Sequence, residues 1–253
     1  MKLTVLGSGT CAVSKRRSCS SYYLHTQNSN ILLDIGFGSL RRLTEADIDY
    51  RDIDVVIVSH FHLDHVADLS PLLMALRYTP GYKREKPLTI IGPPTLEKFL
   101  HGCRDLFGDW LLPEDEYPLH IIEIDSEQVE INNCLITAKA AFHIENSNAY
   151  RIEHGGASLM YSGDSGPCES LTELAADVDL ALIECSFPDD APFEKHLTPI
   201  RAADIAAKAG AKKLLLTHFY PPVEKVDVLS ISKKTFKGPI SIAEDLAIYN
   251  VCQ

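Results

Sequence analysis

The 253-residue sequence has no Cys-x-x-Cys pair, a single tryptophan, and no apolar run near the ~20 residues that a membrane-spanning helix needs. Its seven cysteines (Cys11, Cys19, Cys103, Cys134, Cys168, Cys185 and Cys252) are odd in number and widely spaced. That pattern excludes a disulfide framework and leads us to expect reduced thiols in a cytoplasmic protein. The opening segment, Met1 to Gly9, carries one lysine and a short apolar run, so no targeting peptide is expected. Positive charge is scarce: 24 Lys+Arg face 35 Asp+Glu, a formal charge of −11. This argues against strong sequence-independent binding to nucleic acid, which depends on cations neutralising phosphates. The 14 glycines and 14 prolines follow no period, which excludes collagen-like fibres, and there is no repeat or low-complexity tract.

What is present suffices for a large covered core. At 45% hydrophobic and 23% charged, the chain is expected to form one domain over residues 1–253. Short β-rich runs, mostly bounded by Gly, Pro, Asn or Asp, predict strands at residues 3–6, 21–24, 30–34, 54–59, 88–91, 120–124, 135–142, 158–162, 179–184 and 213–217. Helical spacing of apolar residues predicts helices over 66–78 and 95–106. A third helix, 199–209, is marked by Thr198 as cap, Pro199 at its first position and Gly210 at its end. Strands with interspersed helices define an α/β or α+β class with covered sheets.

The chemistry concentrates at Val55-Val56-Ile57-Val58-Ser59-His60-Phe61-His62-Leu63-Asp64-His65, where a β-branched strand runs into three histidines and an aspartate. Imidazole and carboxylate together suit zinc and related divalent ions, whereas calcium favours oxygen alone. Four candidate ligands in one turn exceed what a single open catalytic zinc uses, so the spacing points to two metals. Three further candidates stand at strand ends: His143 after 136–142, Asp164 after 159–163, and His218 after 214–217. The two oxygens of Asp164 suit it to bridge two cations. Each of these three alone reads as ordinary surface or core; the His-x-His-x-Asp-His run gives them weight. His25, His101, His120 and His154 lack such a context.

These residues resemble the metallo-β-lactamase superfamily, and within it the ribonuclease Z-like branch of metal-dependent hydrolases, over nearly the whole chain from Leu6-Gly7-Ser8-Gly9-Thr10 to His218. The resemblance implies a four-layered αββα sandwich with the site along one edge of the two sheets. It assigns His60, His62 and His143 to one metal, Asp64, His65 and His218 to the other, and Asp164 to both. Diiron oxygen-reducing relatives carry glutamate where this chain has His62, which favours hydrolysis over redox chemistry. Asn30-Ile31-Leu32-Leu33-Asp34-Ile35-Gly36 looks like the second-strand motif whose aspartate orients a metal-binding imidazole from behind. Glu184-Cys185-Ser186-Phe187 and His196-Leu197-Thr198 resemble the paired glutamate and His-x-Thr elements in which a glutamate holds a histidine facing the scissile phosphate. Without the family, Asp34 reads as a turn residue, Glu184 as a strand end and Thr198 as a helix cap.

The function so implied is a dinuclear hydrolase with two divalent ions, Zn or Mn, in which Asp64 binds metal and orients the attacking water while His196, held by Glu184, protonates the leaving group. Ribonucleases Z that mature tRNA carry a long protruding arm; here the stretch between His143 and Asp164 is short and reads as two strands joined at His154-Gly155-Gly156. The expected substrate is therefore a small phosphodiester, a cyclic nucleotide or short RNA or DNA. The alternatives are a thioester or lactone hydrolase on the same fold, then a tRNA 3′-processing endoribonuclease, and last a non-enzymatic binding module. Lys15, Arg16 and Arg17 form the leading candidate for a local phosphate contact, against the ordinary reading of short charge runs as solvated surface. Similar proteins dimerise, so a homodimer is one expected assembly, although no apolar stripe marks an interface. No membrane partner is expected.

Overall fold

The architecture follows from strands that are apolar on both faces, each of which needs a covering layer. The computed structural model describes residues 1–113 and 115–252. The first sheet contains β1 (Lys2–Gly7), β2 (Ser21–His25), β3 (Asn30–Ile35), β4 (Val55–Ile57), β5 (Leu88–Gly92) and β6 (Leu119–Glu123). The second contains β7 (Gln128–Ile131), β8 (Cys134–Ala140), β9 (Asn148–His154), β10 (Ala157–Tyr161), β11 (Leu180–Glu184), β12 (Leu214–Thr217) and β13 (Ile240–Ile242). The last strand, β14 (Ile248–Asn250), returns to the edge of the first sheet beside β1. Each sheet runs β-meander first and parallel second: β3 to β6 are parallel, as are β10 to β13.

Side-chain alternation divides each strand between two cores. Ile31, Leu33, Val55 and Ile57 meet Ile136, Ile152, Leu159, Leu182 and Leu215 between the sheets. Leu32, Val56 and Val58 face outward onto the helices α1 (Ser39–Glu45), α2 (Leu63–Val66), α3 (Leu69–Tyr78) and α4 (Leu96–Phe107). On the other side, Met160, Ala181, Ile183, Leu214 and Leu216 pack against α5 (Glu169–Leu174), α6 (Pro199–Lys208) and α7 (Val228–Ser232). The result is the expected αββα sandwich. Helix α3 buries Leu69, Leu72, Leu73 and Leu76, a stripe at helical spacing. Helix α6 starts as its sequence indicates, with the Thr198 hydroxyl accepting from the Arg201 N–H, and stops before Gly210 at φ +69°.

The helix expected over 66–78 is two pieces. The Asp68 N–H donates to the Ile35 carbonyl at 3.0 Å and its carboxylate accepts from the Leu40 N–H at 3.0 Å, which anchors the break to the end of β3. The short edge strands β7, β13 and β14 and the short helices α1, α5 and α7 are additions to the elements read from sequence. Among the described residues no helix is long and apolar enough to cross a membrane.

Candidate metal centre

Parallel strands leave their carboxyl ends on one side, and the loops departing there can converge on a single point. His60 and His62 leave β4, and Asp64 and His65 lie on α2. His143 follows β8, Asp164 follows β10 and His218 follows β12. Two close approaches let these loops nest. A Cβ on Gly36 would sit 2.0 Å from the Asp64 carbonyl oxygen, and one on Gly163, where φ is +54°, would sit 2.7 Å from Ser59 Cβ. His218 itself holds a left-handed φ of +57°, the kind of strained backbone that clusters at functional sites.

The structure gathers all seven of these side chains. His60, His62, His143 and Asp164 form one group, and Asp64, His65 and His218 a second, with the donor atoms of each group within 4.8 Å of one another. All are buried except His62, which is exposed. Asp164 stands between the groups: Oδ1 is 3.2 Å from both His65 Nε2 and His218 Nε2, and Oδ2 is 3.8 Å from His143 Nε2 and 3.9 Å from His60 Nε2.

The hydrogen bonds behind the rings fix which nitrogens face inward. His65 Nδ1–H donates to Asp34 Oδ2 at 2.6 Å, and His143 Nδ1–H to the Lys195 carbonyl at 3.2 Å. Ser59 Oγ donates its only proton to Asp34, so it accepts from His60 Nδ1–H at 3.0 Å. Ser186 Oγ donates to Glu184 and likewise accepts from His218 Nδ1–H at 2.9 Å. In this arrangement four histidines present a bare Nε2. His62 turns its Nδ1 inward, 3.0 Å from His60 Nε2 and 3.2 Å from His143 Nε2. Nitrogen lone pairs that close repel unless a cation lies among them. Asp164 Oδ1 is buried without any hydrogen-bond partner, an acceptor that also calls for positive charge. The donor set and its orientation fit divalent cations.

Asp34 lies behind this wall, fully buried, accepting from Ser59 N–H, Ser59 Oγ, Tyr161 OH and His65. Glu184 plays the corresponding part in the second sheet: Oε1 accepts from Ser165 N–H at 2.7 Å and His196 Nδ1–H at 2.9 Å, and Oε2 from Leu197 N–H and Ser186 Oγ. This carboxylate touches His196 directly and reaches His218 through Ser186. His196 groups with Asp164 and His218 within the same 4.8 Å reach. Burial pulls its imidazole down, yet the Glu184 carboxylate raises it above the ordinary histidine value overall.

Sequence reasoning missed Ser59, Tyr161 and Ser186. Tyr161 meets Asp34 across 127 residues, a distance at which sequence carries no local signal. Of Lys15, Arg16 and Arg17, the cluster expected to contact phosphate, the two arginines are engaged within the protein. Arg17 is buried, donating to Glu224 at 2.7 Å and to the Ala243 carbonyl, and Arg16 pairs with Glu244 at 2.6 Å. In a second basic run, Lys83-Arg84-Glu85-Lys86, Arg84 is buried and donates to the Ile53 and Pro87 carbonyls. The stretch between His143 and Asp164 is a hairpin turned by Gly155 and Gly156, at φ +58° and +79°, with no protruding arm.

Fold and site together define a hydrolase scaffold of the metallo-β-lactamase type with a divalent-metal centre. Residues 29–219 match the family model described as the beta-lactamase superfamily domain, and the chain belongs to that family. It is 34% identical to a protein of Mycobacterium tuberculosis described as uncharacterized, over 95% of this chain and 88% of the relative. A Mycobacterium species protein named ribonuclease Z is 28% identical, over 97% of this chain and 94% of its own. The crystal structure of the metallo-β-lactamase fold protein YhfI from Bacillus subtilis superposes with a TM-score of 0.85 at 25% identity, covering 98% of each chain.

Proposed function

We propose that the protein is a dinuclear metal-dependent phosphodiesterase acting on a small phosphodiester, a cyclic nucleotide or short RNA or DNA. The observation that carries this reading is the division of the two Asp164 oxygens between the two groups of histidines. In it, His60, His62 and His143 would hold one ion, Asp64, His65 and His218 the other, and Asp164 both, with Zn or Mn as the metal. Such ions, when bound, supply Lewis acidity that polarises a phosphoryl oxygen and acidifies water. The chain does the rest. Asp64 orients the attacking water, and Asp34 holds His65 in its productive tautomer. His196, kept protonated by Glu184, gives a proton to the departing oxygen.

The small substrate follows from what is missing for a large one. There is no arm between His143 and Asp164, Arg17 and Arg84 are buried in bonds within the protein, and Arg16 pairs with Glu244 at the surface. A tRNA-sized polyanion needs free cations to hold it. The ribonuclease Z relative supports phosphodiester chemistry over the thioester or lactone alternative. A cytoplasmic location and a homodimer belong to the same reading.

A substrate panel tests it: bis-p-nitrophenyl phosphate, 2′,3′-cyclic nucleotides, S-lactoylglutathione and a homoserine lactone, each with metal-stripped and Zn- or Mn-restored protein. Metal-dependent turnover of the phosphodiesters is expected. Turnover confined to the thioester or lactone overturns the reading.

A further inference from the structure

Beside the metal centre stands an aromatic surface that the hydrolytic chemistry does not require. Phe187 and Tyr220 stack with ring centroids 5.0 Å apart and planes at 22°. Phe193 extends this pair, 5.8 Å from Phe187, and is 54% exposed. All three border His196, at 5.5 Å for Phe187, 5.7 Å for Phe193 and 5.9 Å for Tyr220.

The group is held in place rather than draped over the surface. The His196 N–H donates to the Phe193 carbonyl at 3.3 Å, so the turn carrying Phe193 closes directly onto His196. The Phe187 N–H donates to the Leu197 carbonyl at 3.3 Å. Tyr220 lies two residues beyond His218, and its hydroxyl contacts Cys11 Sγ at 3.2 Å. A large apolar ring left half in water beside a reactive histidine costs solvation energy that a core position would recover. That cost is explained if a flat ligand covers the ring.

We propose that Phe193, backed by the Phe187 and Tyr220 stack, is a platform on which the nucleobase of a nucleoside phosphodiester stacks when the phosphate lies at His196. This rests on the phosphodiesterase reading of the site and narrows its substrate to esters carrying a base. Two observations favour a base over other occupants. The surface is aromatic rather than aliphatic, and every base presents a π-face that stacks on such rings without regard to sequence. Arg17 is buried and paired with Glu224, and Arg16 pairs with Glu244 at the surface, so the base offers a source of affinity beside the phosphate. Phe193 is thus a specificity-determining residue, not a catalytic one.

The test is calorimetric binding of adenosine 5′-monophosphate and of ribose 5-phosphate to the Zn-loaded protein. Both ligands carry the same phosphate and sugar, and only one carries a base. The nucleotide is expected to bind about tenfold tighter or more. F193A and F193L should bring that ratio close to one, and F193W should keep it. F193L fills similar apolar volume without a π-face, so a loss in both variants assigns the effect to stacking. Equal binding of the two ligands by the wild type, no binding of the nucleotide, or a ratio unchanged in F193A and F193L overturns the platform. The readout needs no turnover, so it separates from the phosphodiesterase test. A base preference in a protein that cleaves no phosphodiester sinks the phosphodiesterase reading alone, and equal binding by an active phosphodiesterase sinks the platform alone.

Discussion

Asp34 Oδ2 accepts from His65 Nδ1–H at 2.6 Å while also accepting from Tyr161 OH at 2.6 Å, so one carboxylate of the first sheet is tied at once to a histidine of the metal centre and to the second sheet. The left-handed φ of +54° at Asp34 breaks the strand alternation at that point, just before Gly36. Removing the carboxylate frees the His65 ring to choose the other tautomer. D34A should therefore weaken metal affinity about 10- to 100-fold. Competition with a chelator of known affinity measures this, and an affinity equal to wild type contradicts the role.

His196 and Glu184 should matter in proportion to how much help the leaving group needs. Bis-p-nitrophenyl phosphate departs as a stabilised phenolate, whereas a 2′,3′-cyclic nucleotide departs as an alkoxide that requires a proton. H196A should lose about 100-fold or more of kcat on the cyclic nucleotide, at the lower end of general-acid contributions, and much less on the aryl ester. E184Q should show the same bias more weakly, since its amide oxygen can still accept from His196 Nδ1–H. Equal losses on both substrates would leave His196 with a structural role only.

Much of this cluster was legible in the sequence because its side chains are local or punctuated. His60, His62, Asp64 and His65 fall within six residues, and His143, Asp164 and His218 each follow an apolar run that has to be a strand. The supporting shell was less legible. Ser59 and Ser186 look like any buried serine until the structure shows each donating to a carboxylate and accepting from a histidine of the cluster. The pairing of the two arginines of the basic cluster was hidden for the same reason. The partners of Arg16 and Arg17 lie 228 and 207 residues away, beyond any local pattern. The edge strand Gln128–Ile131, exposed on alternate residues, has too little apolar signal to stand out.

Gly163 couples packing to the site. Its φ of +54° disfavours any side chain, and a methyl group there would press on Ser59, which holds both Asp34 and His60. G163A should destabilise the metal-free protein by about 1–3 kcal/mol. Urea denaturation in the presence of chelator measures this; an unchanged midpoint contradicts the close approach.

Away from the site, Asp179 offers a pH-dependent test of the second sheet. Its carboxylate accepts from Ser158 N–H at 2.8 Å and Lys212 Nζ at 2.8 Å. Burial pushes the carboxyl up, and the Lys212 and Ser158 bonds more than offset this, leaving it below the usual range. A depressed folded value gives stability that is present above about pH 4 and lost as pH falls through that value. D179N should be less stable than wild type by roughly 1 kcal/mol at neutral pH. The gap should narrow on acidification; a gap that is constant or widens contradicts the assignment.

The most direct test is the metal content of the purified protein after equilibration with Zn2+ and removal of free ion, measured beside D164A. Two equivalents per chain in the wild type and one or none in D164A are expected. A wild type that holds one equivalent or none, or a D164A protein that keeps two, contradicts a paired centre bridged by Asp164.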